Sequence, residues 1–334
     1  MPDAKVPAGT TCWIVTDGKI GDEVQCFGIA EAMGLKPERR LIRPRALWAW
    51  AMPYGPIDPR EAPHHPGSPI APPFPDILIA SGRRTVPYLR RAKKASGGRT
   101  FTLFVKDPYT GLGTADLICV HGHDRLRGPN VIVALTPANR LSPELFAQAR
   151  ENPDPRLAHL AAPRLAVALG GPSNNFAFTD ADAESLARIA AGAARTGHSV
   201  MVTPSRRTPP GVTAAIRAAL AERRSFVWDG AGENPYVQIL AHAEVILVTS
   251  DSANMLGEAV TTGKAVYVYE PFGKGQTALV ESLVARGAVR RFAGALERFE
   301  YEPIVSTQVI AAEAVRRFGA FKLNPASGPR KLTG

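Results

Sequence analysis

The chain has 334 residues, 45% of them hydrophobic and 21% charged, a globular balance whose length suits about two domains. No apolar run approaches the roughly 18 residues of a membrane span, and residues 1–11 lack an apolar signal core, which argues against secretion. The net charge of +10 is uneven: residues 1–106 hold 16 basic against 9 acidic residues, and the remaining 228 hold 24 against 21. That front-half excess favours anionic partners. With no recognised nucleic-acid motif beside it, nucleic acid is not among them.

In chain order, β-rich runs at residues 11–15, 40–42, 76–80, 100–105, 116–120 and 130–134 alternate with helical patterns at 21–33, 85–94 and 142–150. The runs are near-continuously apolar, as in Ile77-Leu78-Ile79-Ala80, which predicts strands buried on both faces of a parallel sheet. Cys12 and Cys119 lie in such runs. With Cys26 they show no metal or redox spacing, as expected of reduced thiols in a cytosol.

Residues 47–75 differ, with nine prolines between Pro53 and Pro75, so neither regular helix nor central strand is expected there. Trp48 and Trp50 precede the prolines, near Arg43 and Arg45. They suit either a loop whose aromatics pack on the domain or an apolar-plus-basic patch at a membrane surface.

Three prolines in residues 151–163 predict an interdomain linker, closing a first domain at 1–160. A second series follows over 161–305. Its runs lie at 164–169, 199–203, 226–228, 244–248 and 265–269, with helices at 180–196, 209–223, 235–242, 252–262 and 277–286. The expected fold class is α/β, two Rossmann-like doubly wound domains. Ligands of such sheets lie beyond the carboxyl ends of the strands. A short internal echo, "ASGRRTVP" at 80–87 and "TPSRRTPP" at 203–210, puts Arg-Arg-Thr at a helix entrance in each half.

Four loops of the second half carry candidate chemistry. Gly170 and Gly171 suit close backbone approach to an anion, with Ser173 as a further donor, or else a tight turn. Arg206 and Arg207 precede a helix that Thr208 can cap, where guanidinium forks suit phosphate; otherwise they are surface arginines. Trp228 can stack on a nucleobase or simply pack. In "TSDSANMLGEAV", Ser250, Asp251 and Ser252 stand at a helix mouth and Glu258 shares a face with Asp251. A diphosphate suits the mouth and ribose hydroxyls suit Glu258; alternatively Glu258 is a solvated helix residue. The stretch lacks the Gly-x-Ser-x-Gly elbow, so a serine nucleophile is not supported. Asp180 and Asp182 form an Asp-x-Asp of the kind a metal-dependent sugar transferase would use, but Thr179-Asp180 opening a helix reads as an ordinary cap, and no metal is expected.

In the first half, Asp17 and Lys19 follow the first run without Walker A or Gly-x-Gly-x-x-Gly spacing. In His121-Gly122-His123-Asp124, a histidine beside an aspartate is a candidate proton acceptor, or else part of a solvated loop.

The segments "TDGKIGDEVQCFGIAEAMG", "DILIASGRRTVPYL", "HDRLRGPNVIV", "GGPSNNFAFT", "TPSRRTPP", "WDGAGENPY" and "TSDSANMLGEAVTTGKAVYVYEP" together resemble the mitochondrial-fission family whose plant member is named for elongated mitochondria, and its bacterial branch. The resemblance covers roughly residues 11–305. It implies a GT-B glycosyltransferase-like fold: two Rossmann-like domains facing across a cleft, with a helix at 306–320 crossing back to the first. It also implies a nucleotide-sugar held by the second domain, the diphosphate near Gly171, Ser173, Arg206 and Ser252 and the ribose near Glu258. Asp17, Lys19, His123 and Asp124 would face the acceptor. One departure is Ala253-Asn254, which stands where GT-B donor loops often have glycines.

The leading expectation is a metal-independent glycosyltransferase without a cofactor beyond its donor. Asp17 or His123 would deprotonate an acceptor, a lipid-linked one being a candidate. The plant relative is an adaptor in organelle division, so one alternative is a non-catalytic adaptor docking on membrane through Trp48 and Trp50. The other is a GT-B-type nucleotide-sugar epimerase using Asp17, Asp124 and Glu233. A short-chain NAD-type epimerase is disfavoured, since no Tyr-x-x-x-Lys accompanies a Gly-rich loop. The expected location is cytoplasmic, with a peripheral position on the inner membrane if the tryptophans dock there.

Overall fold

A computed structural model describes residues 5–172, 177–270 and 277–323. The chain forms two compact units. One runs to Arg140 and adds the stretch from Ser306 onward; the other is Leu141–Val305.

The first unit carries a six-stranded, all-parallel sheet. Its strands are β1 (Cys12–Thr16), β2 (Glu38–Leu41), β3 (Ile77–Ser81), β4 (Phe101–Val105), β5 (Leu117–His121) and β6 (Val131–Ala134), in the order β2-β1-β3-β4-β5-β6. The four central strands are buried along their whole length. This is why they read as apolar runs rather than as alternating ones. Helix α1 (Ile20–Ala32) starts with Asp22 and Glu23 in its first turn, which suits its dipole, and ends before Gly34 at φ +78°. A Cβ on Gly28 would lie 2.2 Å from the Asn139 carbonyl oxygen, so only glycine lets α1 approach that backbone.

Residues 46–75 correct the expectation of an irregular segment. Ala46–Ala51 forms a short helix, α2, ahead of the first proline. The prolines then thread a compact cap: Met52, Ile57, Ala62 and Ile70 join the core on one sheet face. Arg45 forks onto buried Asp58 (Nε–Oδ2 2.7 Å, Nη2–Oδ1 2.8 Å), holding that carboxyl well below its ordinary range. Helix α3 (Val86–Ala95) covers the same face. The opposite face is covered by α1 and by the helix Ser306–Leu323, whose Ile310, Ala311, Ala314 and Phe318 are buried there. Thr136 N–H donates to Ser306 Oγ (3.1 Å) and Asn139 N–H to Thr307 Oγ1 (2.9 Å), fixing where that helix begins.

The linker expected at residues 151–163 lies inside the second unit instead. Helix α4 (Pro143–Glu151) buries Phe146 and Ala149. Gln238, on α7 (Tyr236–His242), accepts from Asp154 N–H and donates to the Asn152 carbonyl. These contacts pull the proline-bearing stretch onto α7, so the units divide at 140/141.

The second sheet is also parallel and six-stranded. It contains β7 (Arg164–Leu169), β8 (Ser199–Pro204), β9 (Ser225–Val227), β10 (Val245–Thr249), β11 (Ala265–Tyr269) and β12 (Val289–Arg291), in the order β12-β11-β10-β7-β8-β9. Its remaining helices are α5 (Asp180–Arg195), α6 (Pro210–Ala219), α8 (Ala253–Val260) and α9 (Thr277–Ala285). At the start of α5, Thr179 and Asp182 form a reciprocal capping box, and Asp182 also accepts from Tyr269 OH. Burial pushes the Cys12 and Cys119 thiols up to about 12, so both are inert at neutral pH.

Candidate functional site

Each sheet reverses its strand order at one point, β1/β3 in the first unit and β7/β10 in the second. The crevice outside the carboxyl ends at such a point is where open α/β sheets hold ligands.

In the second unit the loops after β7, β8 and β10 meet there, and their organiser is Asp251. Its fully buried carboxylate accepts from Gly171 N–H (2.8 Å), Thr249 Oγ1 (2.7 Å) and Arg207 Nη2 (3.2 Å). Gly170 N–H donates to Thr249 Oγ1 (2.8 Å). The N–H groups that sequence reading assigns to an anion are thus engaged within the unit. Both glycines answer to close packing: a Cβ on Gly170 would lie 2.1 Å from the Asp251 carboxylate, and one on Gly171 2.2 Å from the Arg207 carbonyl oxygen. Arg207 is a brace as well, its Nη1 also donating to the Gly171 and Pro172 carbonyls (2.9 and 3.0 Å). Ser250 is buried, its N–H bonded to the Tyr269 carbonyl. Ser173 lies outside the described residues.

What stays open to a ligand is a smaller set. Arg206 is exposed and has no hydrogen bond or ion pair among the described residues. It adjoins Arg207, whose guanidinium is tied to Asp251 at the entrance to α8. There Ser252 caps the helix through Met255 N–H (3.3 Å). The N–H groups of Ala253 and Asn254, first in the helix, have no intrahelical acceptor. Further along α8, Glu258 accepts from Tyr236 OH (2.8 Å), and burial raises its carboxyl to about 7 against the opposing effect of that bond. Tyr236 as the partner of Glu258 has no signal in the sequence; they lie 22 positions apart. Trp228 is half-buried just past β9, its indole N–H closing a turn onto the Ala231 carbonyl (3.0 Å).

In the first unit the β1/β3 reversal holds Asp17. Its carboxylate is 3% exposed, and neither oxygen has a hydrogen-bond partner among the described residues. Lys19 Nζ and Arg84 Nη1 each lie 3.9 Å from Oδ2. Gly18 at φ +87° turns the chain between Asp17 and α1. The Arg-Arg-Thr echo has a structural counterpart here. Its second arginine approaches a buried carboxylate in each unit, Arg84 near Asp17 and Arg207 on Asp251. Thr85 and Thr208 each donate to carbonyls at a strand end.

His123 and Asp124 follow β5, three strands from β1. At roughly 4.8 Å per strand they stand about 14 Å from Asp17, too far to act with it as a hydrogen-bonded pair. They form a cluster with His121 instead. His121 Nδ1 lies 3.6 Å from Asp124 Oδ2, and His123 Nε2 3.7 Å from Asp124 Oδ1. Burial pushes the His121 imidazole below its ordinary value, with Asp124 opposing. Between the two groups, Lys106 at the end of β4 pairs with Asp22.

The aromatic pair of α2 separates. Trp48 packs partly buried against the core, whereas Trp50 is 81% exposed, beside exposed Leu47 and close in sequence to exposed Tyr54.

Residues 20–318 match the family model described as mitochondrial fission ELM1. The chain is 26% identical over 275 residues to the mitochondrial fission protein ELM1 of Arabidopsis thaliana, covering 74% of this chain and 64% of that protein. In structure it is similar to the UDP-GlcNAc 2-epimerase from Methanocaldococcus jannaschii (TM-score 0.54, 11% identity, 93% of this chain and 99% of the other). It is also similar to Os79 from O. sativa in complex with UDP (TM-score 0.51, 11% identity, 96% and 92%). At such identities the similarity shows the fold, a GT-B-like arrangement of two parallel-sheet α/β units.

Proposed function

Because the chain belongs to the mitochondrial fission ELM1 family, on a fold it shares with nucleotide-sugar enzymes, we propose that its second unit binds a nucleoside diphosphate-sugar and that the chain is a glycosyltransferase. The observation that carries this reading is Arg206. It is an exposed guanidinium without a partner among the described residues, on the loop after β8, whose next residue, Arg207, is tied to Asp251 just ahead of the Ser252-capped helix. Arg206 and the free N–H groups of α8 meet the diphosphate and stabilise it as it leaves. Glu258 accepts from the ribose hydroxyls with its remaining lone pairs, and Trp228, just past β9, packs on the base.

In the first unit, Asp17 is the better base for an acceptor hydroxyl. Its carboxylate, at the reversal point, has no hydrogen-bond partner among the described residues, whereas His123 is committed to the cluster after β5. Lys19 and Arg84 flank Asp17 at 3.9 Å and attract an anionic acceptor, such as one linked to lipid through phosphate.

Titration of the chain with UDP-, GDP- and CMP-sugars by calorimetry tests the donor site. Binding is expected for one nucleotide class. Arg206→Ala should weaken it at least tenfold, while its urea midpoint stays within the error of the parent because Arg206 is exposed and bonds to none of the described residues. Absence of binding by every donor at millimolar concentration would end this reading.

A second reading, an adaptor docked on membrane, is favoured by the exposure of Leu47 and Trp50 beside a basic front half. Sedimentation with anionic vesicles should fall several-fold for the Leu47→Ala/Trp50→Ala pair. Trp48→Ala should lower stability instead, since its ring packs on the core. Vesicle binding unchanged by the pair would remove the adaptor reading.

A further inference from the structure

We propose that His121, His123 and Asp124 form a binding site for a divalent first-row transition ion of the zinc type. The three residues occupy four consecutive positions at the carboxyl end of β5, and one donor atom from each lies within 4.8 Å of the others. The two imidazole rings are parallel, 3° apart in plane with centroids 5.6 Å apart, and both approach the same carboxylate. The His–Asp donor separations are 3.6 and 3.7 Å. Two bonds of about 2.0–2.1 Å at a tetrahedral angle put donors about 3.3 Å apart. Each His–Asp pair therefore needs to close by only a few tenths of an ångström, and the two imidazole nitrogens, within 4.8 Å of each other, come onto the same ion by rotation of the half-exposed His123 side chain.

The local backbone is already arranged for it. β5 fixes His121 through its pairing with β6. The chain then turns, Asp124 N–H donating to the His121 carbonyl (3.0 Å), and Asp124 Oδ2 accepts from His121 N–H (2.8 Å). This last bond orients the carboxylate as a supporting contact orients a metal ligand. Neutralising one carboxylate needs a single cationic ring; two parallel rings converging on it are more than an ion pair requires.

Two nitrogens and one oxygen select zinc, cobalt, nickel or iron(II) over magnesium and calcium, which prefer all-oxygen shells. His123 is about half exposed, so one side of the ion faces solvent and keeps a position for water or for a hydroxyl or phosphate oxygen of a ligand. The site lies wholly within the first unit and does not depend on nucleotide binding by the second.

The test is calorimetry of zinc chloride into the chelator-stripped full chain, repeated with cobalt(II) chloride followed by its visible absorption. One ion per chain is expected, with cobalt giving the intense bands of a four-coordinate site. His123→Ala, at a half-exposed position, should fold normally and weaken zinc binding at least a hundredfold. Asp124→Asn should weaken it at least tenfold. The other adjacent histidines, His64 and His65, have ring centroids 4.2 Å apart, so His64→Gln/His65→Gln is the control and should bind as the parent does. The proposal is overturned if zinc fails to bind at millimolar concentration, if His123→Ala binds as tightly as the parent, if the control variant loses the ion, or if magnesium binds equally well.

Discussion

Asp251→Ala is expected to lower the stability of the second unit by about 3 kcal/mol, the lower end of the range for breaking a buried charge pair. The carboxylate is fully buried and accepts three hydrogen bonds, from the loops after β7 and β8 and from Thr249 at the end of β10. Alanine leaves the Gly171 N–H and the Thr249 hydroxyl without their acceptor, each costing about 1–3 kcal/mol. It also opens the space against which Gly170 packs. Arg207 is 46% exposed, so its freed charge remains hydrated, and this holds the loss near the lower end. Asp251→Asn keeps the shape and one acceptor oxygen and should cost about half as much. Urea unfolding at neutral pH measures both. A loss under 1 kcal/mol for alanine would show that the three loops are held by something else. Nucleotide affinity should fall along with stability, in contrast to Arg206→Ala, which should remove affinity alone. That contrast separates the frame of the site from the part that touches a ligand.

Glu258→Gln should stabilise the protein at pH 8 and leave it unchanged below pH 4. Burial raises the Glu258 carboxyl from 4.5 to about 7 in the folded chain. A folded-state value above the unfolded one means that the folded protein holds the proton more tightly. Its contribution to stability is complete below the unfolded value and is lost as pH rises through about 7. Each factor of ten in proton affinity is about 1.4 kcal/mol, so the loss has a ceiling of about 3.5 kcal/mol, which the neutral glutamine does not suffer. The melting temperature of the variant relative to the parent should therefore climb between pH 5 and 8; a flat difference would count against the buried position of Glu258. The bond from Tyr236 survives, because the amide oxygen can still accept it. Ribose hydroxyls donate to the ionised form, so the affinity of the parent for its nucleotide should rise through the same interval. In the variant that pH dependence should vanish.

Most strands and helices were legible because each carries its own periodic signal. The apolar runs at 164–169 and 265–269 coincide with β7 and β11, and the patterns at 180–196 and 277–286 lie within a residue of α5 and α9. α2 was not legible. The density of prolines from Pro53 onward suggested an irregular segment, yet six residues ahead of them suffice for a short helix whose Ala49 is buried. β12 escaped too, being three residues with two exposed arginines. The proline-bearing stretch at 151–163 looked like a linker because prolines mark breaks in structure without saying which body the break adjoins. Gln238 decides that, through two hydrogen bonds more than 80 positions away in sequence.

By itself the sequence determined the class of fold and the family, and it pointed to the loops in which to look for a site, since buried parallel strands and helix entrances are written in local composition and spacing. Only the tertiary structure decided which residues of those loops are free to act. Gly170, Gly171, Arg207 and Asp251 are used up on one another, whereas among the described residues Arg206 has no partner and the buried Asp17 carboxylate has no hydrogen bond. The physical reason is that a donor or acceptor can be spent once. Which partner claims it depends on side chains that meet from distant parts of the chain, and no local pattern records their meeting.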